Sequence, residues 1–336
     1  MATDEITSAK IVVIGGGTGS FTLLSGLKHY VRDISALVNM ADDGGSTGTL
    51  RDELGVLPPG DVRQCLVALS QSPKVRDLFN YRFDKGGLKG HAFGNLFLTA
   101  LEKMTGSFAE AVELASQVLN IHGRVHPATL SNVTLCAEGA DGQPVRGEFT
   151  IGQQAQLAAK PEIWLEPDAT ANPAAVQAIQ NANMVVVAPG DLYGSLAPVL
   201  VIDEIRQALH STRATCVFVC NLVTKPGPTH QMSVLDFTRE IERLAGGEFL
   251  DYVVYNNGLP PQELMARYEQ EDAHLVRHDA QTLARHQSCQ FIGAPILSRT
   301  LTQRHATSSD PIAESRSFIR HDPDLVARQL MRIYFS

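Results

Sequence analysis

The run Gly15-Gly16-Gly17-Thr18-Gly19 places four glycines and a hydroxyl directly behind an apolar stretch, Ile11-Val12-Val13-Ile14. Glycine lets a backbone turn sharply and approach a ligand closely. Amides left open at a helix start, backed by the positive end of the helix dipole, suit an anion such as a phosphate. Thr18 or Ser20 can cap that helix or give a hydroxyl to the phosphate. A dinucleotide fingerprint is met only in part. Gly15 and Gly17 fit its first two glycines, but Ser20 stands at the third. The second strand ends at Asn39 rather than at an acid that would grip an adenine ribose. A tight strand-to-helix turn without any ligand is the plain alternative.

A second chemical cluster follows in Asn39-Met40-Ala41-Asp42-Asp43-Gly44-Gly45-Ser46-Thr47-Gly48. In a doubly wound sheet this segment and the first glycine loop leave strands at the same carboxyl edge, where ligands bind. Two carboxylates beside a phosphate repel it unless something compensates. Mg²⁺ does so with a few carboxylates and phosphate oxygens, which makes Asp42 and Asp43 candidate metal ligands. A substrate hydroxyl in need of a general base is the other chemical reading, and a polar turn the plain one.

Further candidates lie downstream. Asp61 follows Pro58-Pro59-Gly60 where a helix cap belongs. Arg51 and Arg63 offer guanidinium groups that pair bidentately with phosphate oxygens. Gly90-His91-Ala92-Phe93-Gly94-Asn95 opens another helix and makes His91 and Asn95 ligand candidates, although a lone histidine is more often structural. Pro189, Gly190, Asp191 and Ser195 break the chain after an apolar run, and Asn221 and Thr224 repeat the theme. Several such loops at one sheet edge make a pocket; a single one does not.

The elements that must position these groups read as an alternation of apolar strands and amphipathic helices. This predicts a Rossmann-like α/β fold, a doubly wound, mostly parallel sheet in a three-layer sandwich. Strands are expected at 11–14, 36–39, 184–188, 215–220 and 252–255. Helices are expected at 18–30, 61–70, 94–104, 108–119, 198–209 and 234–244. Residues 133–137 and 145–151, around Asp141-Gly142, read as a β-hairpin insertion near 130–152. The polar stretch 302–315 reads as mobile, and a C-terminal helix is expected near 322–335. Residues 1–336 are taken as one domain.

Bulk properties narrow the partners. The chain has 336 residues, 44% hydrophobic and 19% charged, with a formal net charge of -8. That balance excludes a broad basic face for nucleic acid, although a local basic pocket for a small phosphorylated molecule remains compatible with it. No apolar run reaches the roughly 18 residues of a membrane span, and the polar Met-Ala-Thr-Asp-Glu start lacks a signal-peptide pattern, so a cytoplasmic protein is expected. Cys65, Cys136, Cys216, Cys220 and Cys289 show no paired spacing and are expected to be reduced structural thiols. A homodimer is the expected assembly from the frequency of such dimers, and no tightly bound organic cofactor is expected.

Taken together, the motifs resemble the CofD/YvcK family. The resemblance rests on 14–19, 39–48, Pro58-Pro59-Gly60-Asp61-Val62-Arg63, 90–95, Pro127-Ala128-Thr129, Pro189 to Tyr193 and Asn221 to Gly227, in that order over residues 10–260. Proteins of the YvcK branch, called gluconeogenesis factors, are linked to carbon use and cell shape and bind UDP-sugars. The CofD branch, 2-phospho-L-lactate transferase, uses a guanylylated phospho-acid and Mg²⁺ to pass a phospholactyl group to a deazaflavin alcohol. The resemblance therefore implies a nucleotide or nucleotide-sugar ligand and leaves regulator and transferase both open. For a transferase it implies that Asp42, Asp43 and Asp61 hold Mg²⁺ or orient the acceptor hydroxyl. Asp42-Asp43-Gly44-Gly45 and Pro58-Pro59-Gly60-Asp61 look more like the YvcK branch. The chain departs from that branch's pattern where Asp191 replaces a serine, Gly194 a threonine, Val199 an asparagine and Lys225 a glutamine.

Overall fold

β1 (Lys10–Ile14) has four consecutive buried residues after Lys10, as a strand covered on both faces requires. The computed structural model describes residues 8–153, 157–227, 229–262, 265–266, 273–298 and 319–336. After β1 come α1 (Gly17–Leu27), β2 (Asp33–Val38), α2 (Gly45–Leu54), α3 (Gly60–Leu69) and α4 (Pro73–Asn80). They lead to α5 (Phe93–Thr105), α6 (Phe108–Val118) and β3 (Arg124–Pro127). An insertion then contributes β4 (Thr134–Glu138), β5 (Pro144–Arg146), α7 (Glu148–Gln153) and β6 (Ile163–Glu166). The main fold resumes with α8 (Pro173–Gln180), β7 (Met184–Val187), α9 (Ala197–Leu200), α10 (Asp203–Ser211) and β8 (Thr215–Val219). It ends with α11 (Val234–Leu244), β9 (Tyr252–Asn256), α12 (Ala280–Arg285), β10 (Gln290–Ala294) and α13 (Pro323–Tyr334).

Seven strands form one sheet in the order β10-β9-β8-β7-β1-β2-β3, and every neighbouring pair is parallel. Alternate residues of β1 feed two separate cores. Ile11 and Val13 pack with Leu23 and Leu24 of α1, Leu66 of α3 and Leu330 of α13. Val12 and Ile14 pack on the other face with Ile179 of α8, Ile205 of α10 and Ile241 of α11. Helices thus cover both faces, the expected three-layer sandwich. The strand order reverses between β1 and β7, and the crevice at the carboxyl end of that pair is where such folds bind ligands.

The insertion differs from its expected form. It is a three-stranded antiparallel sheet in the order β5-β4-β6, with β6 added to the hairpin. The strand expected to run to residue 151 stops at Arg146. Gly147 adopts φ +93°, its N–H turns onto the Leu135 carbonyl at 2.8 Å, and α7 begins. The helix expected at 198–209 is also divided. Leu192–Leu196 form a single wide turn, closed by the Leu196 N–H on the Asp191 carbonyl at 3.0 Å, and Ile202 is extended between α9 and α10. The 302–315 stretch lies outside the described residues. All five cysteines are free and buried, and among the described residues no helix is long and apolar enough to cross a membrane.

Candidate functional site at the switch point

The glycine loop connects β1 to α1 with Gly16 as the N-cap and Gly17 in the left-handed region at φ +65°. Gly19 presses against the loop that follows β7, since a Cβ there would lie 1.6 Å from the Pro189 carbonyl oxygen. The two loops therefore meet across the switch point. Between them lies a cleft of ≈ 370 Å³ lined by Gly16 to Gly19, Arg63, Arg82, Pro189, Gly190, Asp191, Ser195, Asn221, Lys225, Arg320 and His321, among others. Larger hollows of ≈ 680 and ≈ 520 Å³ lie at the starts of β8 to β10 and along β3. They are lined by neither glycine loop, so the smaller cleft is the better candidate site.

One wall of the cleft is basic. Arg63 of α3 is buried and held from two sides, donating from Nε to Asn95 Oδ1 at 2.9 Å and from Nη1 to Asn80 Oδ1 at 2.5 Å. Asn95 in turn donates to Ser46 Oγ at 3.3 Å, and Ser46 Oγ lies 2.9 Å from His91 Nδ1. His91 and Asn95 stand behind Arg63 rather than in the cleft. Asn221 braces the opposite loop, donating to the Gly190 carbonyl at 2.7 Å and accepting the Gly190 N–H at 3.3 Å. Asp191 and Lys225, two of the positions at which the chain departs from the YvcK pattern, pair with each other at 2.5 Å. Burial works to raise the Asp191 carboxyl, but the Lys225 ammonium and the Gly194 N–H hold it below the usual carboxylate range.

A group of acids adjoins the glycine loop without lining the cleft itself. Asp61, at the start of α3, is buried and accepts the Gly17 N–H on Oδ1 at 2.9 Å. Its Oδ2 lies against Gly16, where a Cβ would sit only 1.9 Å away. Asp42 accepts the Gly44 N–H at 3.0 Å, and Asp43 accepts the Phe149 N–H at 2.7 Å. The insertion adds Glu148, whose Oε1 would lie 2.7 Å from a Cβ on Gly194. Burial and the neighbouring acids push Asp42, Asp61 and Glu148 up. Asp42 rises through burial, against hydrogen bonds from Gly44 and Thr47. Asp61 rises to about 7 through burial and Asp42. Glu148 rises to about 9 through burial, Asp42, Asp61, Asp191 and Asp43, so it holds its proton at neutral pH.

Several of the residues singled out in the sequence serve the framework instead. The Gly15 N–H bonds the Leu37 carbonyl at 3.0 Å. Asn39 is buried, donating to the Gly194 carbonyl at 3.1 Å and accepting the Ala41 N–H at 2.8 Å. Arg51 donates to the Val133 carbonyl at 2.6 Å. Thr224 is buried and exchanges hydrogen bonds with the His274 backbone. None of these four lines the cleft. Glu148, Arg82, Lys225 and Arg320 do not stand out in the sequence. Only Lys225 is flagged there, as a departure from a pattern.

Among the described residues, no three carboxylate, imidazole or thiolate groups close on one point as a metal cage would. A Mg²⁺ ion that arrives on a phosphate needs only one or two protein carboxylates, and Asp42 and Asp61 meet that requirement chemically. Burial above all raises both carboxyls, with a neighbouring acid adding to it in each case and Arg51 and Arg63 acting the other way.

The pattern of the family described as 2-phospho-L-lactate transferase CofD matches residues 11–297. A Nostoc protein named putative gluconeogenesis factor is 42% identical over 329 residues, 97% of this chain and 68% of that protein. The Bacillus subtilis gluconeogenesis factor is 41% identical over 277 residues, 82% of this chain and 87% of its own length. A crystal structure of a Bacillus halodurans protein superposes with a TM-score of 0.86 at 34% identity, covering 96% of this chain and 99% of that one. The chain belongs to the CofD family, with proteins named gluconeogenesis factors among its relatives.

Proposed function

We propose that the cleft binds a nucleoside diphosphate or nucleotide-sugar, and that the protein acts as a regulator of the gluconeogenesis-factor type. The observation that carries this reading is the meeting of the Gly16 to Gly19 amides with Arg63, Arg82, Lys225 and Arg320 around one crevice at the switch point. Amides at a helix start and guanidinium groups are both phosphate-binding chemistry. The relatives' names point to carbon metabolism; regulation of carbon use and of cell shape is the role proposed.

Asp42 and Asp61, with Asp43 at the rim, would hold a Mg²⁺ ion that accompanies the diphosphate. When bound, Mg²⁺ supplies positive charge that neutralises phosphate oxygens. The protein's own part is distinct from this. Arg63, fixed by Asn80 and Asn95, orients the phosphate chain, and Asn221 fixes the Gly190 backbone opposite.

The second reading is a transferase of the CofD type, and Glu148 is what favours it. A carboxyl that keeps its proton at neutral pH beside Asp42 and Asp61 can donate to a leaving group. A panel of UDP-sugars, GDP and NAD, each with and without Mg²⁺, tests ligand binding by thermal shift. A ligand at about 100 times its dissociation constant adds about 2.7 kcal/mol of stability. At least one nucleoside diphosphate is expected to raise the melting temperature, and NAD is expected to leave it unchanged. The Asp42→Asn/Asp43→Asn double variant is expected to lose the Mg²⁺ dependence of the shift. A flat panel, or a double variant that keeps that dependence, defeats the ligand or the metal assignment respectively.

A further inference from the structure

The cleft commits one of its cations to a carboxylate of its own. Lys225 Nζ lies 2.5 Å from Asp191 Oδ2, and both residues line the crevice. The pair bridges two loops, since Asp191 follows β7 and Lys225 follows β8. A turn cap explains only half of Asp191. Its Oδ1 accepts the Gly194 N–H at 2.9 Å and so closes the Leu192–Leu196 turn, a task that a neutral amide oxygen performs as well. Oδ2 is turned to Lys225 instead. Lys225 is itself held in place, because its backbone N–H donates to Thr229 Oγ1 at 3.1 Å and that hydroxyl donates to the Lys225 carbonyl at 3.3 Å.

We infer that Asp191 and Lys225 together recognise a vicinal diol of the ligand. This rests on the diphosphate reading given above. Adjacent strands lie about 4.8 Å apart, so the loops after β1 and β8, with β7 between them, are about 10 Å apart. A diphosphate seated on the amides of Gly16 to Gly19 therefore sends one of its flanking sugars along the strand ends towards the pair. A carboxylate only accepts hydrogen bonds and an ammonium only donates them. Side by side, they match two neighbouring hydroxyls, of which one donates to Asp191 and the next accepts from Lys225. An ammonium has three N–H donors, and among the described residues Asp191 takes one of those of Lys225. Burial opposes the charge on Asp191, but Lys225 and the Gly194 N–H keep it ionised. Leu222 and Val223, just before Lys225, line the same cleft with Ile319 and share one apolar cluster, on which the C–H face of a sugar ring can rest. A further phosphate at this end meets the Asp191 carboxylate, whereas a diol meets a complementary group at each oxygen. Both residues stand at positions where the chain departs from the YvcK pattern, so the pair is this chain's own.

The test is calorimetric titration at constant MgCl₂ with matched ligands, UDP and GDP against their 2′-deoxy forms and UDP-glucose against UDP-2-deoxyglucose. Within one of these comparisons wild type is expected to bind the complete diol at least about tenfold more tightly, the factor that corresponds to one hydrogen bond to a charged group. A site built to hydrogen-bond a hydroxyl rejects the analogue that lacks it, because its own polar groups are then left unpaired. A preference against the 2′-deoxynucleotides places the ribose on the pair, and a preference against the 2-deoxyglucose ligand places the hexose there. Asp191→Asn, which keeps an oxygen for the Gly194 N–H, and Lys225→Gln are each expected to remove that preference while leaving the affinity for the deoxy ligand little changed. A support for the turn alone predicts something else, an even loss for both members of a comparison. Wild type without a preference in any comparison overturns the inference, as do variants that keep the preference or lose affinity evenly. Wild type alone decides the matter should the variants fail to fold. Wild type that binds none of these ligands refutes the diphosphate reading itself.

Discussion

Gly16 has no room for a side chain. A methyl group there would sit 1.9 Å from Asp61 Oδ2 and 2.8 Å from its Cγ, and Asp61 is buried with little freedom to retreat. Gly16→Ala is therefore expected to destabilise the fold by about 1–3 kcal/mol, the usual range for overpacking. It should also remove any nucleotide-dependent thermal shift, because the Asp61–Gly17 contact and the loop amides move together. Melting curves with and without UDP check both effects, and a variant with wild-type values for each would disprove the close approach. Glu148 shows how a single residue escapes a reading of the sequence. Nothing in Arg146-Gly147-Glu148 announces a site. Only the left-handed turn at Gly147 carries this acid from the insertion towards Gly194 and the Asp42–Asp61 pair.

At the scale of elements, what the sequence makes legible is local backbone chemistry. The glycine loop and the breaks after β7 and β8 all depend on residues adjacent in the chain, and they do surround one crevice, which the Asp42-Asp43 turn does not line. α11 is found where expected, at Val234–Leu244, because its apolar period and the Ser233/Asp236 capping box are both local. β3, with the sequence Arg-Val-His-Pro, and the partly polar β10 are edge strands, and such short mixed runs carry no clear period. Side-chain partners are harder still. Asn39, Arg51 and Thr224 look like ligand groups, yet each meets a backbone partner that only the tertiary fold supplies. The end of α11 holds a related surprise in Glu242, which is buried with no hydrogen-bond partner for Oε1. Burial and Glu248 raise its carboxyl to about 7, against the Leu250 and Phe249 amides. A carboxyl whose folded pKa exceeds its unfolded value binds more protons in the native state, so stability falls as pH rises from 4.5 to 7. Glu242→Gln is expected to be about 1–2 kcal/mol more stable than wild type near pH 8 and no more stable near pH 4, as read by urea denaturation. Equal stabilisation at both pH values would mean that charge is not the cause.

Across the whole molecule, the end of the chain returns to its beginning. α13 packs on α1 so closely that a Cβ on Gly26 would meet the Pro323 carbonyl at 2.0 Å. Just before α13, the Ser298 N–H bonds the Arg320 carbonyl and the Asp322 N–H bonds the Ile296 carbonyl, each at 2.8 Å. These bonds set Arg320 and His321 into the cleft wall beside the end of β8, where His321 Nε2 lies 3.1 Å from the Cys220 carbonyl. The helix that presents the glycine loop and the wall opposite it thus share one C-terminal tether. His321 is the titratable part of that tether. Burial lowers it to about 4, although the Cys220 carbonyl favours its proton. Between pH 6.5 and 4 the unfolded chain takes up a proton that native His321 refuses, so its contribution is full above 6.5 and is lost as pH falls. The loss amounts to at most about 3 kcal/mol, opposite in sign to the Glu242 effect over part of the same range. His321→Asn is expected to be less stable than wild type near neutral pH, to lose this acid slope, and to bind UDP more weakly, because the wall and the loop helix loosen together. Urea denaturation from about pH 7 to pH 4, run beside Glu242→Gln, separates the two groups by the direction in which each variant alters the slope. Should His321→Asn keep the wild-type acid slope, the tether is not what acid releases.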